Sequence, residues 1–401
     1  MATMATSDNR GLLPAGLRDV LAPDAAHEAA IVERLLDSFA RWGYRRVKPP
    51  LVEFEASLLE GAGAAMAGET FRLMDPVSQA MMGVRADMTL QIARIAASRL
   101  AAEARPLRLS YAGDVLRVRG TQLRPERQFV QVGGELIGAA GPAADTEVIL
   151  MAVRALRGIG LDRLSVDLTF PTLIATLSRF LGIAGDREAA MRAALDSKDR
   201  QALAAALGGD AESRAIFLAL LDATGPAGPG LALLEATGMP AEARADVDHL
   251  ADVAARLGAA APDLALTVDP VEYRGFEYHT GIGFTVYRNG SRGEIGAGGR
   301  YLAGSGFADR AIEPATGFTL FLDTVIRGLP APQEPSRLFA PCGTPPDTVD
   351  ALRREGRTVV AGLEPAGDVD AEARRLGCDA VLEDGAPRAV SPGGPAADAP
   401  E

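Results

Sequence analysis

The sequence predicts an α+β fold: an antiparallel sheet flanked by helices, with a helical insertion and a small α/β segment at the C-terminal end. Two apolar-rich arms with β-branched and aromatic residues, Arg108–Val118 and Gln128–Ile137, predict a hairpin within this sheet. Residues 172–261 are rich in alanine and leucine at helical spacing, which predicts the insertion. After residue 330, three short strand patterns surround two helix patterns, which predicts the α/β segment.

The same patterns set the segment boundaries. Residues 1–171 and 262–330 are predicted to form the two parts of the sheet-and-helix core, and residues 172–261 the helical insertion between them. Residues 331–386 are predicted to be a truncated α/β remnant. Residues 387–401 are rich in proline, glycine and alanine, which predicts a disordered tail.

Composition limits the classes of function. The formal net charge of −12 disfavours non-specific binding to nucleic acid, because neutralising phosphates requires basic stripes. No apolar run approaches the length of a membrane span and no signal-peptide pattern opens the sequence, so we expect a cytoplasmic protein. Cys342 and Cys378 stand far apart and the three histidines lack metal-ligand spacing. Neither a metal nor another cofactor is expected.

The first regular element is predicted to be a helix followed by an edge strand. Asp24 is the predicted N-cap, and the helix ends at Gly43. Its apolar residues recur at helical spacing, at Ile31, Leu35, Phe39 and Trp42. Tyr44–Glu53 then predicts a strand that two prolines interrupt, which suits an edge or an interface. The helix either packs on its own core or forms part of a dimer interface.

A carboxylate and a hydroxyl precede the next predicted helix. Short strands are predicted at Glu69–Leu73 and Ala80–Val84, and Asp87 and Thr89 follow them directly. Both side chains can reach an ammonium group. Alternatively, one of them caps the helix that begins near Thr89, which is the commoner use of such residues.

The hairpin carries the strongest chemical pattern in the chain. Its loop, Arg119–Arg127, is polar and basic, and Arg117 is predicted to lie near Gln131 and Glu135. Gln131 and Glu135 share one face of the returning strand because side chains alternate along a strand. An arginine, an amide and a carboxylate side by side favour a pocket for a zwitterionic ligand. The alternative is a solvated hairpin with exposed charges.

The segment LRVRGTQLRPERQFVQVGGELIG resembles motif 2 of class II aminoacyl-tRNA synthetases, specifically that of histidyl-tRNA synthetase. The family pattern is met by Arg117, Arg127, Gln128, Phe129, Gln131, Gly133 and Glu135. The opening GLLPAGLRDVLAP and the helix and strand up to Pro50 resemble the start of the family and its motif 1, which implies a homodimer. Asp87 and Thr89 match the acid and threonine that hold the amino group of histidine.

Two later segments extend the resemblance. RGFEYHTG is similar to the family's R-G-L-D-Y-Y-T-G, so that Arg274 matches its essential arginine and Tyr278 its first tyrosine. His279 replaces the second tyrosine, which helps to read the imidazole ring. EIGAGGRY and Ala315–Ile326 resemble G-G-R-Y-D and motif 3. The implied histidine-binding residues are Asp87, Thr89, Arg117, Gln131, Glu135, Arg274, Tyr278 and His279.

The nucleotide side of the family pattern is not kept. The motif 3 arginine that grips the terminal phosphate aligns with Thr324, and the loop acid that meets adenine aligns with Arg119. A further phosphate-binding arginine aligns with Pro125, and Leu302 replaces the aspartate of G-G-R-Y-D. The motif 2 arginine is kept as Arg117, but losing these contacts together leaves no ATP site that could stabilise the charge developing at the α-phosphate. We therefore expect no adenylate formation and no catalytic residues.

A chain of this kind resembles the regulatory subunits of ATP phosphoribosyltransferase. The resemblance implies a non-catalytic subunit that assembles as a homodimer, within a hetero-oligomer, with the short catalytic subunit of the first step of histidine biosynthesis. It also implies histidine as the feedback effector, with neither tRNA nor a membrane as partner. One alternative is a divergent histidyl-tRNA synthetase. Another is a binding module that senses histidine or uncharged tRNA.

Overall fold

The computed structural model of the protein describes residues 11–59, 66–122, 124–272, 279–304 and 312–391. The helices in chain order are α1 (Asp24–Arg41), α2 (Glu55–Leu59), α3 (Thr89–Ser98), α4 (Pro142–Gly158), α5 (Leu173–Phe180), α6 (Gly185–Asp196), α7 (Arg200–Leu207), α8 (Ala211–Asp222), α9 (Ala227–Ala236), α10 (Ala241–Ala260), α11 (Leu322–Arg327), α12 (Pro346–Arg354) and α13 (Val369–Arg375). None of the helices in these ranges combines the length and the apolar character that a membrane span requires.

The strands form a large, a medium and a small sheet. In chain order they are β1 (Arg45–Arg46), β2 (Val52–Phe54), β3 (Arg72–Met74), β4 (Met81–Val84), β5 (Leu107–Leu116), β6 (Gln128–Ile137), β7 (Leu164–Thr169), β8 (Gly225–Pro226), β9 (Ala265–Val268), β10 (Gly283–Arg288), β11 (Gly296–Ala303), β12 (Glu313–Phe321), β13 (Arg337–Ala340), β14 (Thr358–Ala361), β15 (Ala380–Glu383) and β16 (Ala386–Ala389). The predicted α+β fold is confirmed, and the predicted hairpin is β5 and β6.

The large sheet has nine strands in the order β1-β5-β6-β12-β11-β10-β7-β9-β8. Its centre is antiparallel as predicted, whereas β1 pairs with β5 and β7 pairs with β9 in parallel. A parallel pair needs a long crossover connection. The helices of the predicted insertion provide the connection between β7 and β9, and β8 within it pairs with β9. The insertion is therefore attached to the sheet by backbone hydrogen bonds, a strand contribution that its composition did not predict.

Helices cover both faces of the large sheet. On one face, which we call the back, α1, α4 and the insertion enclose a large apolar core that includes Phe39, Val148 and Phe318. On the other, the front, α3 packs over a smaller core that includes Met88 and Tyr111. Because strand side chains alternate between the two faces, neighbouring residues of one strand serve different cores.

The first helix follows its apolar spacing, with Ile31, Leu35 and Phe39 buried. The predicted N-cap is wrong by one position, because Pro23 precedes the helix and Asp24 is its first residue. An acidic side chain in the first turn stabilises the helix through the backbone dipole without a capping hydrogen bond. The proline-interrupted strand is divided into β1 and β2, as the two prolines imply.

The contacts within the chain separate it into two compact units after Pro330. In the second unit, β13 pairs in parallel with β14 and β15, and β16 pairs antiparallel with β15. The prediction of disorder from residue 387 is wrong for the residues in β16. Asp384 and Gly385 have φ values of 48° and 80° and form the tight turn of a two-residue hairpin, for which Asp-Gly is a strong signal. Residues 392–401 of the predicted tail lie outside the described residues.

Candidate functional site

A small cavity lies on the front face of the large sheet. It is bounded by α3, by the segment that precedes β10, and by strands β6, β11 and β12; the lining residues are Thr89, Glu135, His279, Ala297, Gly298, Gly299, Tyr301, Gly317, Phe318 and Thr319. Its empty space is about 200 Å³, of which about 20 Å³ can hold the centre of a water molecule. That is room for about one water. A larger ligand therefore requires the lining side chains to move.

Glycines create the space that the cavity side chains occupy. Gly317 lies opposite both Glu135 and Gly299 in neighbouring strands. A Cβ atom on Gly317 would lie 1.6 Å from Oε2 of Glu135, and one on Gly299 would lie 2.3 Å from Cδ2 of His279. Any larger residue would collide with these side chains, so the glycines are required for the site to form.

Glu135 is the acid among the residues that line the cavity, and it has no exposed surface. The hydroxyl of Tyr301 donates to its Oε2 at 3.0 Å, and the hydroxyl of Tyr111 donates to its Oε1 at 3.3 Å. Burial and, less strongly, the Asp87 carboxylate raise the pKa of Glu135, the Tyr301 hydrogen bond lowers it, and the resulting pKa is about 8. Near neutral pH its carboxyl group is mainly protonated, and it can both donate and accept a hydrogen bond.

Asp87, Thr89 and Gln131 are joined at the start of α3. The amide of Gln131 donates from Nε2 to Oδ2 of Asp87 at 2.8 Å, and the backbone N–H of Thr89 donates to Oδ1 at the same distance. The backbone N–H of Met88 donates to Oε1 of Gln131 at 3.0 Å. Asp87 thus accepts from the first residue of α3, but it is not the helix cap of the alternative prediction, because Met88 holds the N-cap position. Each carboxylate oxygen has a second acceptor position beyond the one these bonds use, so the group can also meet an ammonium ion.

Arg117 is not where the sequence pattern placed it. Gly113, and not Arg117, lies opposite Gln131 in the hairpin. The Arg117 side chain donates from Nε to the backbone oxygen of Ala86 at 3.4 Å, and its guanidinium lies 5.2 Å from the ring centre of Phe129. Among the described contacts, none joins Arg117 to Gln131 or to Glu135. The pattern identified the hairpin but not its register, which decides which side chains face each other.

Three predicted residues come from the segment around RGFEYHTG. His279 is buried in the cavity wall against Gly299. Arg274 and Tyr278 lie outside the described residues, so the structure does not test them.

Sequence reasoning missed two tyrosines that hold Glu135. Tyr301 belongs to the quoted EIGAGGRY segment, yet it received no role of its own. The hydroxyl of Tyr111 is fully buried and shares a hydrogen bond of 2.8 Å with the Thr319 hydroxyl. A Cβ on Gly133 would lie 2.5 Å from that hydroxyl. The glycine of the motif, opposite Tyr111 in the hairpin, was the available signal.

At the other end of β6 and β12, the hairpin loop closes over two aromatic rings. The guanidinium of Arg124 lies 3.7 Å from the ring centre of Phe321 and 5.1 Å from that of Phe129. Its Nε is 3.5 Å from Oδ2 of Asp323, and only 10% of its side chain is exposed. A desolvated guanidinium stacked on aromatic rings makes a favourable contact. We call these four residues the Arg124 cluster.

Thr324 and Arg119, which replace two of the family's ATP contacts, form contacts with side chains of the same chain. Arg327 donates to the Thr324 hydroxyl at 3.0 Å and to Oδ2 of Asp323 at 2.9 Å. Arg119 pairs with Glu69 at 3.5 Å, with three quarters of its side chain exposed. Arg119, Arg124 and Arg327 at this end are thus paired with acids of the same chain.

The fold places this chain in the histidyl-tRNA synthetase class. The family model described as histidyl-tRNA synthetase matches residues 16–325. Within that class, this chain belongs to the family of ATP phosphoribosyltransferase regulatory subunits. It is 54% identical over 372 residues to the ATP phosphoribosyltransferase regulatory subunit of Rhodospirillum centenum, covering 93% of this chain and 94% of that protein.

Solved structures agree on the fold. A protein of Bacillus halodurans, described as an ATP phosphoribosyltransferase regulatory subunit/histidyl-tRNA synthetase, superimposes with a TM-score of 0.79 at 23% identity, over 92% of this chain and 97% of that one. A chain of the ATP phosphoribosyl transferase (HisG:HisZ) complex of Thermotoga maritima superimposes with a TM-score of 0.56 at 17% identity, over 74% of this chain and 97% of that one.

Proposed function

We propose that this chain is a non-catalytic subunit that a short catalytic ATP phosphoribosyltransferase needs for the first step of histidine biosynthesis, and that histidine bound in the front cavity inhibits the complex. One observation carries the proposal: polar groups suited to an amino acid line a cavity, with Asp87 and Gln131 bonded beside its Thr89, whereas the Arg124 cluster fills the other end of the same strands. Membership of the regulatory-subunit family supports the role. The Thermotoga maritima complex supports a catalytic partner.

The cavity suggests how histidine is held. We place the ammonium group beside Asp87, Thr89 and Gln131, because the Asp87 carboxylate is fixed by two hydrogen bonds and still has acceptor capacity. The imidazole ring lies near Glu135, whose protonated carboxyl can donate to a ring nitrogen. We place Tyr278 or His279 alongside the ring. The ligand carboxylate pairs with Arg274, because a guanidinium binds it through two parallel hydrogen bonds.

The opposite end supports a subunit that does not adenylate histidine. Adenylation requires cationic groups that meet the phosphates as charge develops on them. In this chain Arg124 is stacked on Phe321 and paired with Asp323, and the residue in the place of the terminal-phosphate arginine is Thr324. Between residues 331 and 391, Asp and Glu outnumber Lys and Arg, which supports the absence of a tRNA partner.

Reconstitution tests the function. The chain is co-purified with a short catalytic subunit of ATP phosphoribosyltransferase, and phosphoribosyl-ATP formation is measured with and without histidine. We expect activity only when both chains are present, inhibition by histidine, and a dimer of this chain in light scattering when it is alone. Activity of the catalytic subunit that does not depend on this chain would contradict the proposal. Histidine-dependent pyrophosphate exchange by this chain would favour a divergent histidyl-tRNA synthetase.

Arg274→Ala tests the site within that assay. Loss of a charge-assisted contact costs about 1.5–3 kcal/mol, which is about a ten- to hundredfold weaker inhibition by histidine. The uninhibited rate should remain. Arg41→Ala is the control, because Arg41 ends α1 with an exposed side chain, and it should leave inhibition unchanged. Unaltered inhibition in both Arg274→Ala and Glu135→Ala would move the histidine site elsewhere, most simply to the catalytic subunit.

A further inference from the structure

A buried carboxylate on the back face joins the sheet to the helical insertion. Asp145 of α4 has no exposed surface, and three side chains from three other elements reach it at 2.6 Å. Arg300 of β11 and Thr316 of β12 donate to its Oδ1, and Nε2 of His249 of α10 contacts its Oδ2. We call these four residues the Asp145 cluster. A buried carboxylate is stable only when it is paired and hydrogen-bonded, so each of these contacts matters.

The cluster lies directly behind the cavity. Arg300 and Thr316 are paired across β11 and β12, and the next residue of each strand belongs to the cavity wall. That neighbour is Tyr301, which holds Glu135, in one strand and Gly317 in the other. Because side chains alternate across a sheet, the same strand pair presents the Asp145 cluster to the back and the cavity to the front.

The backbone of Arg300 also anchors the segment that brings His279 into the cavity. The N–H of Thr280 donates to the backbone oxygen of Arg300, and the N–H of Arg300 donates to the oxygen of Ile282, both at 2.8 Å. A Cβ on Gly281 would lie 2.9 Å from Cδ of Arg300, so the segment runs closely over that side chain. The guanidinium further donates to the backbone oxygens of Ala139 and Gly141. Arg300 therefore contacts the cavity wall through its backbone, and it contacts Asp145 through its guanidinium.

From this arrangement we propose that the Asp145 cluster couples the cavity to the helical insertion. A ligand that holds Tyr301 and the His279 segment also restrains Arg300, and Arg300 in turn holds Asp145. Less conformational entropy is then lost when His249 contacts Asp145. Binding in the cavity thus stabilises α10 against α4. By thermodynamic reciprocity, loss of the His249 contact weakens binding in the cavity by the same factor. The inference rests on the proposed histidine site and adds a positioning role for residues that do not touch the ligand.

Variants of the full-length chain test the coupling. His249→Leu removes the ring nitrogen and keeps an apolar side chain, whereas His249→Gln retains an N–H that can reach Asp145. We expect His249→Leu to raise the Kd for histidine about three- to tenfold in calorimetric titration, and His249→Gln to recover most of that loss. Arg256→Ala is the matched control on α10, because Arg256 is half exposed and pairs with Asp252 on the same helix. It should leave the Kd unchanged.

Hydrogen exchange distinguishes coupling from a merely structural role of His249, because a structural role alone would not make exchange in α10 depend on histidine. Histidine should slow amide exchange in α10 of the wild-type chain and of His249→Gln, but not in His249→Leu. If His249→Leu does not fold, the nearly isosteric Thr316→Val tests the same carboxylate. The coupling alone would be overturned by the following result: the wild-type chain binds histidine, His249→Leu and Thr316→Val bind it equally well, and histidine does not change amide exchange in α10. A wild-type chain that does not bind histidine would overturn the proposed histidine site as well.

Discussion

Strands β6 and β12 carry two polar regions that use their charged groups in opposite ways. Around Glu135, glycines leave room for a cavity, and hydroxyl and amide groups hold the carboxyl groups of Glu135 and of nearby Asp87 in place. Around Arg124, two aromatic rings and an acid fill the space, and the guanidinium is in contact with all of them. Under the proposed function, one fold keeps recognition of an amino acid at one end of these strands and fills the other end with its own side chains.

Gly317→Ala should disrupt the cavity most strongly. The added methyl group would lie 1.6 Å from Oε2 of Glu135, and overpacking of this kind costs up to about 3 kcal/mol. We expect an affinity for histidine about a hundredfold lower in calorimetric titration. Gly258→Ala in α10 is the control, since nothing lies within 4 Å of its added Cβ. Equal histidine affinity in both variants would show that the cavity around Glu135 is not the binding site.

Arg124→Ala addresses the filled end of the same strands. It removes the stacking on Phe321 and leaves Asp323 with Arg327 as its remaining ion-pair partner, so we expect the free energy of unfolding to fall by about 2 kcal/mol. Urea unfolding measures this change. Arg119→Ala, whose side chain is three quarters exposed, should change stability by less than about 0.5 kcal/mol. Histidine affinity should stay the same in both. A large loss of histidine affinity in Arg124→Ala would mean that the two regions are not independent.

The buried acid of the cavity should make stability depend on pH. The pKa of Glu135 is raised from the model-compound value of 4.5 to about 8, so between these values the folded chain binds more protons than the unfolded chain. Its contribution to stability is therefore present below pH 4.5 and is lost as pH rises towards 8, with a slope of at most about 1.4 kcal/mol per pH unit. Glu135→Gln should flatten this dependence in urea unfolding at several pH values. An unchanged slope would mean that Glu135 is ionised throughout.

Local sequence patterns predicted the strands of these two regions better than the contacts between their side chains. The bounds of β6 match the prediction because its alternation and its motif coincide. Alternation likewise placed Gln131 and Glu135 on one face. Arg117 was misplaced because hairpin register depends on the loop, and Tyr111 was missed because a buried hydroxyl in a strand has the same pattern as an ordinary core residue.

Contacts between distant parts of the chain could not be predicted from local sequence patterns. The stacking of Arg124 on Phe321 joins the hairpin loop to the end of β12, which no spacing indicates. The parallel pairing of β7 with β9 depends on where the insertion returns the chain. The β15–β16 hairpin is a different case, because its Asp-Gly turn is a local signal that could have predicted it. The composition of the following residues led instead to a prediction of disorder.

The difference between the two regions is tested most directly by titrating the isolated chain with histidine and, in parallel, with ATP and magnesium. We predict saturable binding of histidine with one site per chain, no detectable binding of ATP, and no histidine-dependent pyrophosphate exchange in the same sample. Binding of ATP accompanied by exchange, or the absence of histidine binding to a folded chain, would contradict this prediction.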